Sequence, residues 1–447
     1  MVLQLIYHPE GAPVPAHLPL SKSIALRVLT LNAVSRRLGA GEAEIPALPD
    51  AEDVEGMLRA LRRYDRLTDC TDPAAPHAVH IGEGGAPLRF FTALAASTPG
   101  LDITVATGRS LMRRPLKVLL DALRQAGADI RCQRHADYPP LRIVGRQLSP
   151  GEIVMNPGVS SQYISALMMA APLWEHGLRL SFGGKRPVSA PYIAMTAALM
   201  RRFGADLQVE ESEICVVPGR IKAPAEIEIE TDWSAASYFY ELALLLPGTD
   251  IPLHRLTPAA DSLQGDARCR EIFSLLGVDT IHHPDGSATL RCNPEKVELF
   301  RTMEEPLQLD MNATPDLVPA LAVGFCLAGI RFTFSGVSHL RHKETNRMQA
   351  LANELEKIGY GLQLEEDRMS WLGRRTPAGD NESIATYGDH RMAMAFAPAA
   401  VRHPHLIIEA PEVVGKSYPG DRPPRPGRGV RRARHSASPR RGAAPSA

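Results

Sequence analysis

Six stretches of this 447-residue chain begin alike. Each sets a few small or polar residues before a run rich in Ala, Leu and Met with little polar face. They are SKSIALRVLTLNAVS from residue 21, GGAPLRFFTALAAS from 84, SSQYISALMMAAPLW from 160, SAASYFYELALLL from 234, TPDLVPALAVGFCLA from 314 and GDHRMAMAFAPAAV from 388. Successive starts are 63, 76, 74, 80 and 74 residues apart, a regularity that reads as an internal repeat. A helix apolar on most sides belongs inside its domain, so each of the six must be wrapped by other elements. A second, amphipathic helix type recurs between them: LLDALRQAGADI (119–130), ALMRRFGADL (198–207), IFSLLGVDT (272–280) and LANELEKIGYGL (351–362). Each carries a Gly placed for a left-handed C-cap, and β-prone residues follow. The unit is therefore strand, buried helix, strand, amphipathic helix, strands, which is an α/β pattern. The chain is too long for one compact core, and three units per domain give two pseudo-symmetric domains.

The first turn of a helix has free N–H groups and a positive dipole end, so several such starts facing one cleft make an anion site. Taken singly, the Ser, Thr and Asp residues at these starts also read as ordinary N-caps. The charges tip the balance, because buried helices do not begin with Lys22, Asp316 or His390 beside Arg391 unless those groups are paired or bind something. Three further clusters add cations: RSLMRRPLK (109–117), HLRHKETNRM (339–348) and VVGKSYP (413–419). Together they supply Lys22, Arg27, Arg114, Lys343, Arg347, Arg391 and Lys416 from both halves of the chain. Arg suits bidentate contact with phosphate or carboxylate, and Lys acts as a mobile point charge. On its own, KETNR also reads as an exposed helix start with weak surface pairing.

Composition removes several classes. The formal net charge is zero, but residues 421–447 hold eight Arg and one Asp, leaving the body acidic by about seven charges; a nucleic-acid binder is not expected. The six cysteines are scattered without a C-x-x-C pair, so neither a disulfide framework nor a zinc site is expected. His17, His135, His282 and His283 form no metal-spaced set. The N-terminal MVLQLIYHPEGAPVP lacks a basic start and a long apolar run, so no signal peptide is expected. The most apolar stretch, LVPALAVGFCLAGI (317–330), is too short to span a bilayer and contains Pro319. A cytoplasmic protein without membrane contact is the expectation. No P-loop is present, GEGGAP (82–87) is not a dinucleotide fingerprint, and Ser21-Lys22 lacks Ser-x-x-Lys spacing. The residues alone thus reach a two-domain, metal-free protein whose interdomain cleft binds polyanionic small molecules.

In order along the chain, SKSIALR, RRPLKVLLDALRQAGA, VSSQYISALMMAAPL, SAPYI, SAASY, LQGD, TPD, HKETNRM, GDHRMAM and GKSYP resemble the 5-enolpyruvylshikimate-3-phosphate synthase (3-phosphoshikimate 1-carboxyvinyltransferase) family from about residue 18 to 419. The resemblance implies the enolpyruvyl transferase fold, α/β with two domains of three βαβαββ repeats each around buried helices, joined by two chain crossings. It implies domains at 19–229 and at 1–18 plus 230–420, followed by a disordered basic tail at 421–447. It implies transfer of the enolpyruvyl group of phosphoenolpyruvate to the 5-hydroxyl of shikimate 3-phosphate with release of phosphate, by a monomer needing no metal or organic cofactor. Residue by residue, shikimate 3-phosphate is assigned to Lys22, Ser23, Arg27, Ser160, Ser161, Gln162, Ser189, Tyr192, Asp316 and Lys343. Phosphoenolpyruvate is assigned to Lys22, Gly85, Arg114, Gln162, Arg347, His390, Arg391 and Lys416. Asp316 is expected to hold and deprotonate the attacking hydroxyl, Glu344 to move a proton to and from the methylene carbon, and Lys22 to act with them.

The chain departs from the family pattern in three places. Glu83-Gly84-Gly85-Ala86-Pro87 stands where the family has an Asn-Ala-Gly-Thr type loop, and an acidic side chain there is expected to repel phosphoenolpyruvate, which bears also on glyphosate, its competitor. His339 replaces a frequent Asn, and Trp233 enlarges a small-residue helix start. After GKSYPG the chain reads DRPPRPGRGVRRARHSASPRRGAAPSA instead of an aromatic, acidic helix. That composition does not build a core; it reads as out-of-frame translation of a GC-rich gene or as a native basic tail for an acidic partner. Two other readings remain: an inactive or weakly active ligand-binding relative, and the related transferase acting on UDP-N-acetylglucosamine. The latter's mobile-loop Cys has no counterpart in RSLMRRP.

Overall fold

The structure, a computed structural model, describes residues 2–5, 14–68, 77–377 and 383–418 and the backbone of 425–426. The remainder of the Arg-rich segment 421–447 lies outside the described residues. The six apolar runs are helices: α1 Lys22–Arg37, α2 Gly85–Ala96, α3 Ser161–Ala170, α4 Trp233–Leu245, α5 Val318–Ala328 and α6 His390–Phe396. Their missing polar face is matched by burial. Every residue of α5 is buried, as is α1 from Ile24 to Ser35. Helices α1 to α3 pack within one apolar cluster spanning Ile24 to Ile229, and α4 to α6 within a second spanning Trp233 to Ile408. The result is the two-domain α/β fold that the repeat spacing implied.

Three units complete the full βαβαββ pattern. In each, the strands flanking the buried helix pair in parallel and a hairpin adds antiparallel to the second of them. The sheets are His77–His80, Asp102–Ala106, Leu141–Val144 and Asp129–Cys132; Glu152–Val154, Leu178–Ser181, Glu213–Val216 and Leu207–Val209; and Leu307–Asp310, Phe332–Ser335, Arg368–Trp371 and Gln363–Leu364. The amphipathic helices Lys117–Gln125, Ala190–Arg202, Cys269–Leu275 and Arg347–Lys357 are each followed by a Gly at positive φ, between 71° and 96°.

The other three units depart from the expected pattern, and connectivity is the reason. The chain touches the second lobe first, then crosses to build the first lobe before it returns. Ala16 therefore supplies a parallel bridge to Leu253, at the edge of the sheet Asp250–Leu253, Ala288–Cys292, Val278–His282 that follows α4. Likewise Val2–Gln4 pairs with Ile407–Glu409 beside α6. The α1 unit has no four-stranded sheet among the described residues.

The two crossings run side by side. Ser21 N–H donates to the Glu230 carbonyl at 2.8 Å and Asp232 N–H to the Pro19 carbonyl at 2.9 Å, immediately before α1 and α4. Gln264 fixes the second crossing: its Nε2 donates to the Thr231 carbonyl at 2.7 Å, and its Oε1 accepts from Trp233 N–H at 3.1 Å. Lys22, on the first turn of α1, thus stands directly at the junction of the lobes.

Trp233 is a core residue of the second lobe, 0% exposed, with its ring 6.0 Å from that of Tyr240. On the same helix Glu241 is also 0% exposed, packs on Gly324 of α5, and has no hydrogen-bond partner at either carboxyl oxygen. Burial holds its pKa well above the usual carboxylate range, so the folded state keeps a proton that the unfolded chain releases above about pH 4.3. Stability is thereby lost as pH rises through that window. Glu241→Met is expected to stabilise the protein by about 1–3 kcal/mol at about pH 4, the usual cost of an unpartnered buried polar group. Thermal melts across pH should show the gain growing from there toward neutral pH, as the proton held only by the folded state adds its own cost.

Candidate active site

The site is organised around Arg347, 1% exposed at the start of its helix. Its Nε donates to Asp389 Oδ2 at 2.7 Å, its Nη1 to Asp316 Oδ1 at 2.9 Å and its Nη2 to Glu344 Oε2 at 2.7 Å. One guanidinium thus holds three carboxylates by its rigid fork, a task a lysine ammonium does not match. Asp389 is itself fully buried and caps α6 by accepting from Arg391 N–H at 3.0 Å. Arg391 returns to the cluster, donating through Nη2 to Asp316 Oδ2 at 2.8 Å, and Lys343 Nζ stands 3.6 Å from Asp316 Oδ1.

Burial alone would raise the two carboxyls at the cleft. For Asp316, Arg391, Lys343 and Arg347 overcome this and hold it well below the usual range; for Glu344, Arg347 and Arg114 do the same. Both are therefore anions when the cleft holds no other anion.

The first lobe reaches this cluster at two points. Tyr192 O–H lies 3.1 Å from Asp316 Oδ2 and 3.4 Å from Asp266 Oδ2, and Arg114 Nη2 is 3.6 Å from Glu344 Oε1. Asp266 is 2% exposed; burial and the nearby Asp316 raise its carboxyl to about 6. The tyrosine therefore sits between a carboxylate held ionised and one that protonates near neutrality. Ser189, left-handed at φ 54°, donates its N–H to the Asn312 carbonyl at 3.3 Å and stands at the same junction.

A second group of cations faces the first. Lys22 Nζ pairs with Asp53 Oδ2 at 2.9 Å and donates to Ser417 Oγ at 2.7 Å and the Lys416 carbonyl at 3.3 Å. Lys416 Nζ donates to the Gly388 carbonyl at 2.9 Å. Gly85 opens α2 close against two guanidiniums: a Cβ there would lie 2.4 Å from Arg89 Nη1 and 3.2 Å from Arg114 Nη1 and would push them aside. Arg89 also donates to Gln162 Oε1 at 2.9 Å. Gln162 N–H is capped by Ser160 Oγ at 3.4 Å, with Ser161 buried beside it.

Of the residues picked from sequence, Lys22, Gly85, Arg114, Gln162, Tyr192, Asp316, Lys343, Glu344, Arg347, Arg391 and Lys416 converge on this cleft by these contacts. Arg27 lies deeper. It is 3% exposed, bonded to Thr196 Oγ1, the Ser23 carbonyl, Ser165 Oγ and the Tyr192 carbonyl, and set over the Phe90 ring, and burial pushes its pKa down to about 10. His390 is buried with neither ring nitrogen hydrogen-bonded; burial, then Lys22 and Arg391, keep it neutral. His339 is likewise held neutral, at about 4, by burial and Lys343.

Sequence reasoning missed Asp53, Arg89, Asp266 and Asp389. Asp266 and Asp389 sit in motifs already singled out, LQGD and GDHRMAM, whereas Asp53 and Arg89 carry no local signal. Glu83, expected from its charge to repel phosphoenolpyruvate, accepts from Ser110 N–H at 3.0 Å and from Ser110 Oγ. It is turned to the 108–110 turn and hydrogen-bonded by the donors there.

A match across residues 15–421 to the model of the EPSP synthase (3-phosphoshikimate 1-carboxyvinyltransferase) family decides the assignment. The chain belongs to the EPSP synthase family. A 3-phosphoshikimate 1-carboxyvinyltransferase of Bacteroides fragilis (strain YCH46) is 38% identical over 417 residues, 93% of this chain and 95% of that protein. One from Proteus mirabilis (strain HI4320) is 31% identical over 438 residues, 94% of this chain and 96% of that protein. The solved EPSP synthase from Acinetobacter baumannii superposes with a TM-score of 0.68 at 20% identity, covering 94% of this chain and 96% of that one. The enolpyruvyl transferase NikO from Streptomyces tendae gives 0.66 at 15%, covering 94% and 95%. At such identities the two structures speak for the fold, and the family assignment rests on the sequence relatives.

Because Arg347 compensates a fully buried Asp389, Arg347→Met is expected to destabilise the second lobe by about 3–5 kcal/mol. The depressed carboxyls contribute stability above their unfolded pKa and lose it as pH falls through their lower folded values. Denaturant titrations should therefore show the deficit widest at neutral pH and narrowing below about pH 4.

Proposed function

We propose that this cleft transfers the enolpyruvyl group of phosphoenolpyruvate to the 5-hydroxyl of shikimate 3-phosphate, releasing phosphate, in the shikimate pathway to chorismate and the aromatic amino acids. The observation that carries the reading is the pair Asp316 and Glu344, both bonded to Arg347 and each reached by one first-lobe residue. We read the domains as 19–229 and 1–18 plus 230–420, and the enzyme as a cytoplasmic monomer.

Phosphoenolpyruvate is a poor electrophile until its methylene carbon gains a proton. Glu344 delivers that proton, making a methyl group and leaving C2 electron-poor. The 5-hydroxyl attacks C2 as Asp316 takes its proton, forming a tetrahedral adduct. Phosphate then leaves, carrying off the proton that Asp316 took, and Glu344 removes a methyl proton to restore the carbon–carbon double bond. Lys22, Arg114, Arg347, Arg391 and Lys416 neutralise the phosphates and carboxylates throughout. Gln162 and Gly85 line the phosphoenolpyruvate side with them, beside the neutral His390. Ser23, Arg27, Ser160, Ser161, Ser189, Tyr192 and Lys343 are assigned to shikimate 3-phosphate, with Arg27 acting from below through Ser23 and Tyr192.

The depressed Glu344 becomes an acid when substrate arrives. Anions on Arg347 and Arg114 cancel the charges that hold its proton off, so its pKa rises toward the operating pH.

Phosphate release from the two substrates tests the assignment. Wild type is expected to turn over, while Asp316→Ala and Glu344→Ala lose at least about a hundredfold in kcat, the usual scale of a general acid or base. In deuterated water the wild type should place deuterium in the methylene group, and Glu344→Gln should not. Lys22→Met is expected to abolish turnover while keeping the wild-type melting temperature, since Lys22 holds substrate rather than the core. A folded wild-type protein without turnover would instead support the inactive, ligand-binding relative.

A further inference from the structure

Glu83 is the residue of the α2 approach that the family pattern does not account for, and its surroundings give it a job. The segment 82–85 is fixed on three sides. A Cβ on Gly84 would meet Asp53 Oδ1 at 2.6 Å, and Asp53 is the partner of Lys22. Gly85 abuts Arg89 and Arg114. Glu83, between the strand ending at His80 and α2, turns to the other side and takes both donors of Ser110, the N–H at 3.0 Å and the hydroxyl.

The same contact is reinforced by backbone. Gly108 N–H donates to the Gly82 carbonyl at 2.9 Å. Gly108 must be glycine for the carboxylate to lie there, because a Cβ would sit 1.9 Å from Glu83 Oε1. Ser110 opens the short helical turn Leu111–Arg113, and the next residue is Arg114, whose guanidinium reaches Glu344 of the other lobe. A carboxylate holding two donors makes charge-assisted hydrogen bonds of the stronger kind. Loosening this contact frees the turn from which Arg114 projects, and a displacement of about an ångström is enough to cost binding and rate.

We propose that Glu83 is a positioning residue: it clamps the 108–110 turn through Ser110 so that Arg114 is presented to the phosphoenolpyruvate side of the cleft. This rests on the functional reading above. It opposes the simple electrostatic expectation, in which an acid at this position repels the anionic substrate, and the two differ in sign. A repelling Glu83 makes removal tighten phosphoenolpyruvate binding. A clamping Glu83 makes removal weaken it.

Steady-state kinetics of the full chain separate them, using Glu83→Gln, Glu83→Ala, Ser110→Ala and the double variant Glu83→Ala/Ser110→Ala. The amide of Glu83→Gln still accepts from both Ser110 donors, so its constants should stay near wild type. Glu83→Ala should raise KM for phosphoenolpyruvate about tenfold, the equivalent of one lost charge-assisted contact, and leave KM for shikimate 3-phosphate within about twofold. Ser110→Ala should show a smaller rise, and the double variant should be no worse than Glu83→Ala because the two residues act through one contact. A fall in KM for phosphoenolpyruvate in both Glu83 variants would overturn the proposal in favour of repulsion. Equal rises in both KM values, or a lowered melting temperature with unchanged KM, would overturn it in favour of a structural role alone.

Hydrogen exchange over 108–114 reads the clamp without turnover, so failure of the functional reading is distinguishable from failure of the clamp. Faster exchange in Glu83→Ala but not in Glu83→Gln is expected. Exchange unchanged in Glu83→Ala would overturn the proposal even if the wild type were inactive.

Discussion

The structure hangs on the contact between Arg347 and three carboxylates. A guanidinium that is 1% exposed beside an aspartate that is fully buried is a costly arrangement unless each charge is satisfied by geometry. Here the fork of Arg347 gives one edge to Asp389, which caps α6, and the other to Asp316 and Glu344, which face the cleft. Core and site share one cation. The start of α6, the turn before α5 and the start of the helix Arg347–Lys357 are thereby held in a fixed relation, and Asp316 and Glu344 inherit that rigidity.

The crossings extend this order to the first lobe. Ser21 and Asp232 are tied to opposite strands one residue before α1 and α4 begin. Lys22 and the Asp266 that follows Gln264 are therefore set by the junction itself. Polar contacts across it include Lys22 to Ser417 and the Lys416 carbonyl, Arg114 to Glu344, Tyr192 to Asp316 and Asp266, and Ser189 N–H to the Asn312 carbonyl. Contacts of this kind are weak individually and depend on exact separation, which suits the proposed function, in which closure of the lobes about substrate excludes water.

How much of this was legible in the sequence depends on range. The six buried helices and the glycine caps announced themselves because apolar periodicity and C-cap chemistry are local. The full βαβαββ unit was readable only where a unit's strands are contiguous. It failed for α4 and α6, whose sheets borrow Ala16 and Val2–Gln4 from the far end of the chain. The same divide runs through the site. Lys22, Arg114, Arg347 and Arg391 stood out as charges on apolar elements. Asp53 did not, being one of three acidic residues in an ordinary helical first turn, and its role exists only because α1 brings Lys22 to it. Arg89 was hidden inside an apolar run, and its value lies in what it touches. Glu83 shows the opposite case: its charge is visible in the sequence, but its direction is set by Ser110, 27 residues on.

The arrangement of acids among cations suits the proposed chemistry. The proposed reaction has one carboxyl give a proton to carbon and another take one from oxygen, while both lie in a cleft rich in cations. Free carboxylates there would compete with substrate for every cation, and unpaired cations would repel one another. Pairing Asp316 with Arg391, Lys343 and Arg347, and Glu344 with Arg347 and Arg114, offsets part of the positive charge of the cleft and keeps its cations in position. An incoming phosphate or carboxylate then trades places with the protein's own acids. That exchange raises the proton affinity of the displaced carboxyl just where a proton is needed. Asp266 adds a graded element, since its carboxyl at about 6 lies across Tyr192 from the depressed Asp316. The tyrosine hydroxyl can turn its proton toward either oxygen, so the charge on one acid is felt by the other through a single hydrogen bond. In such a cleft the substrate supplies both the reacting carbon and the change in electrostatics that arms the acid against it.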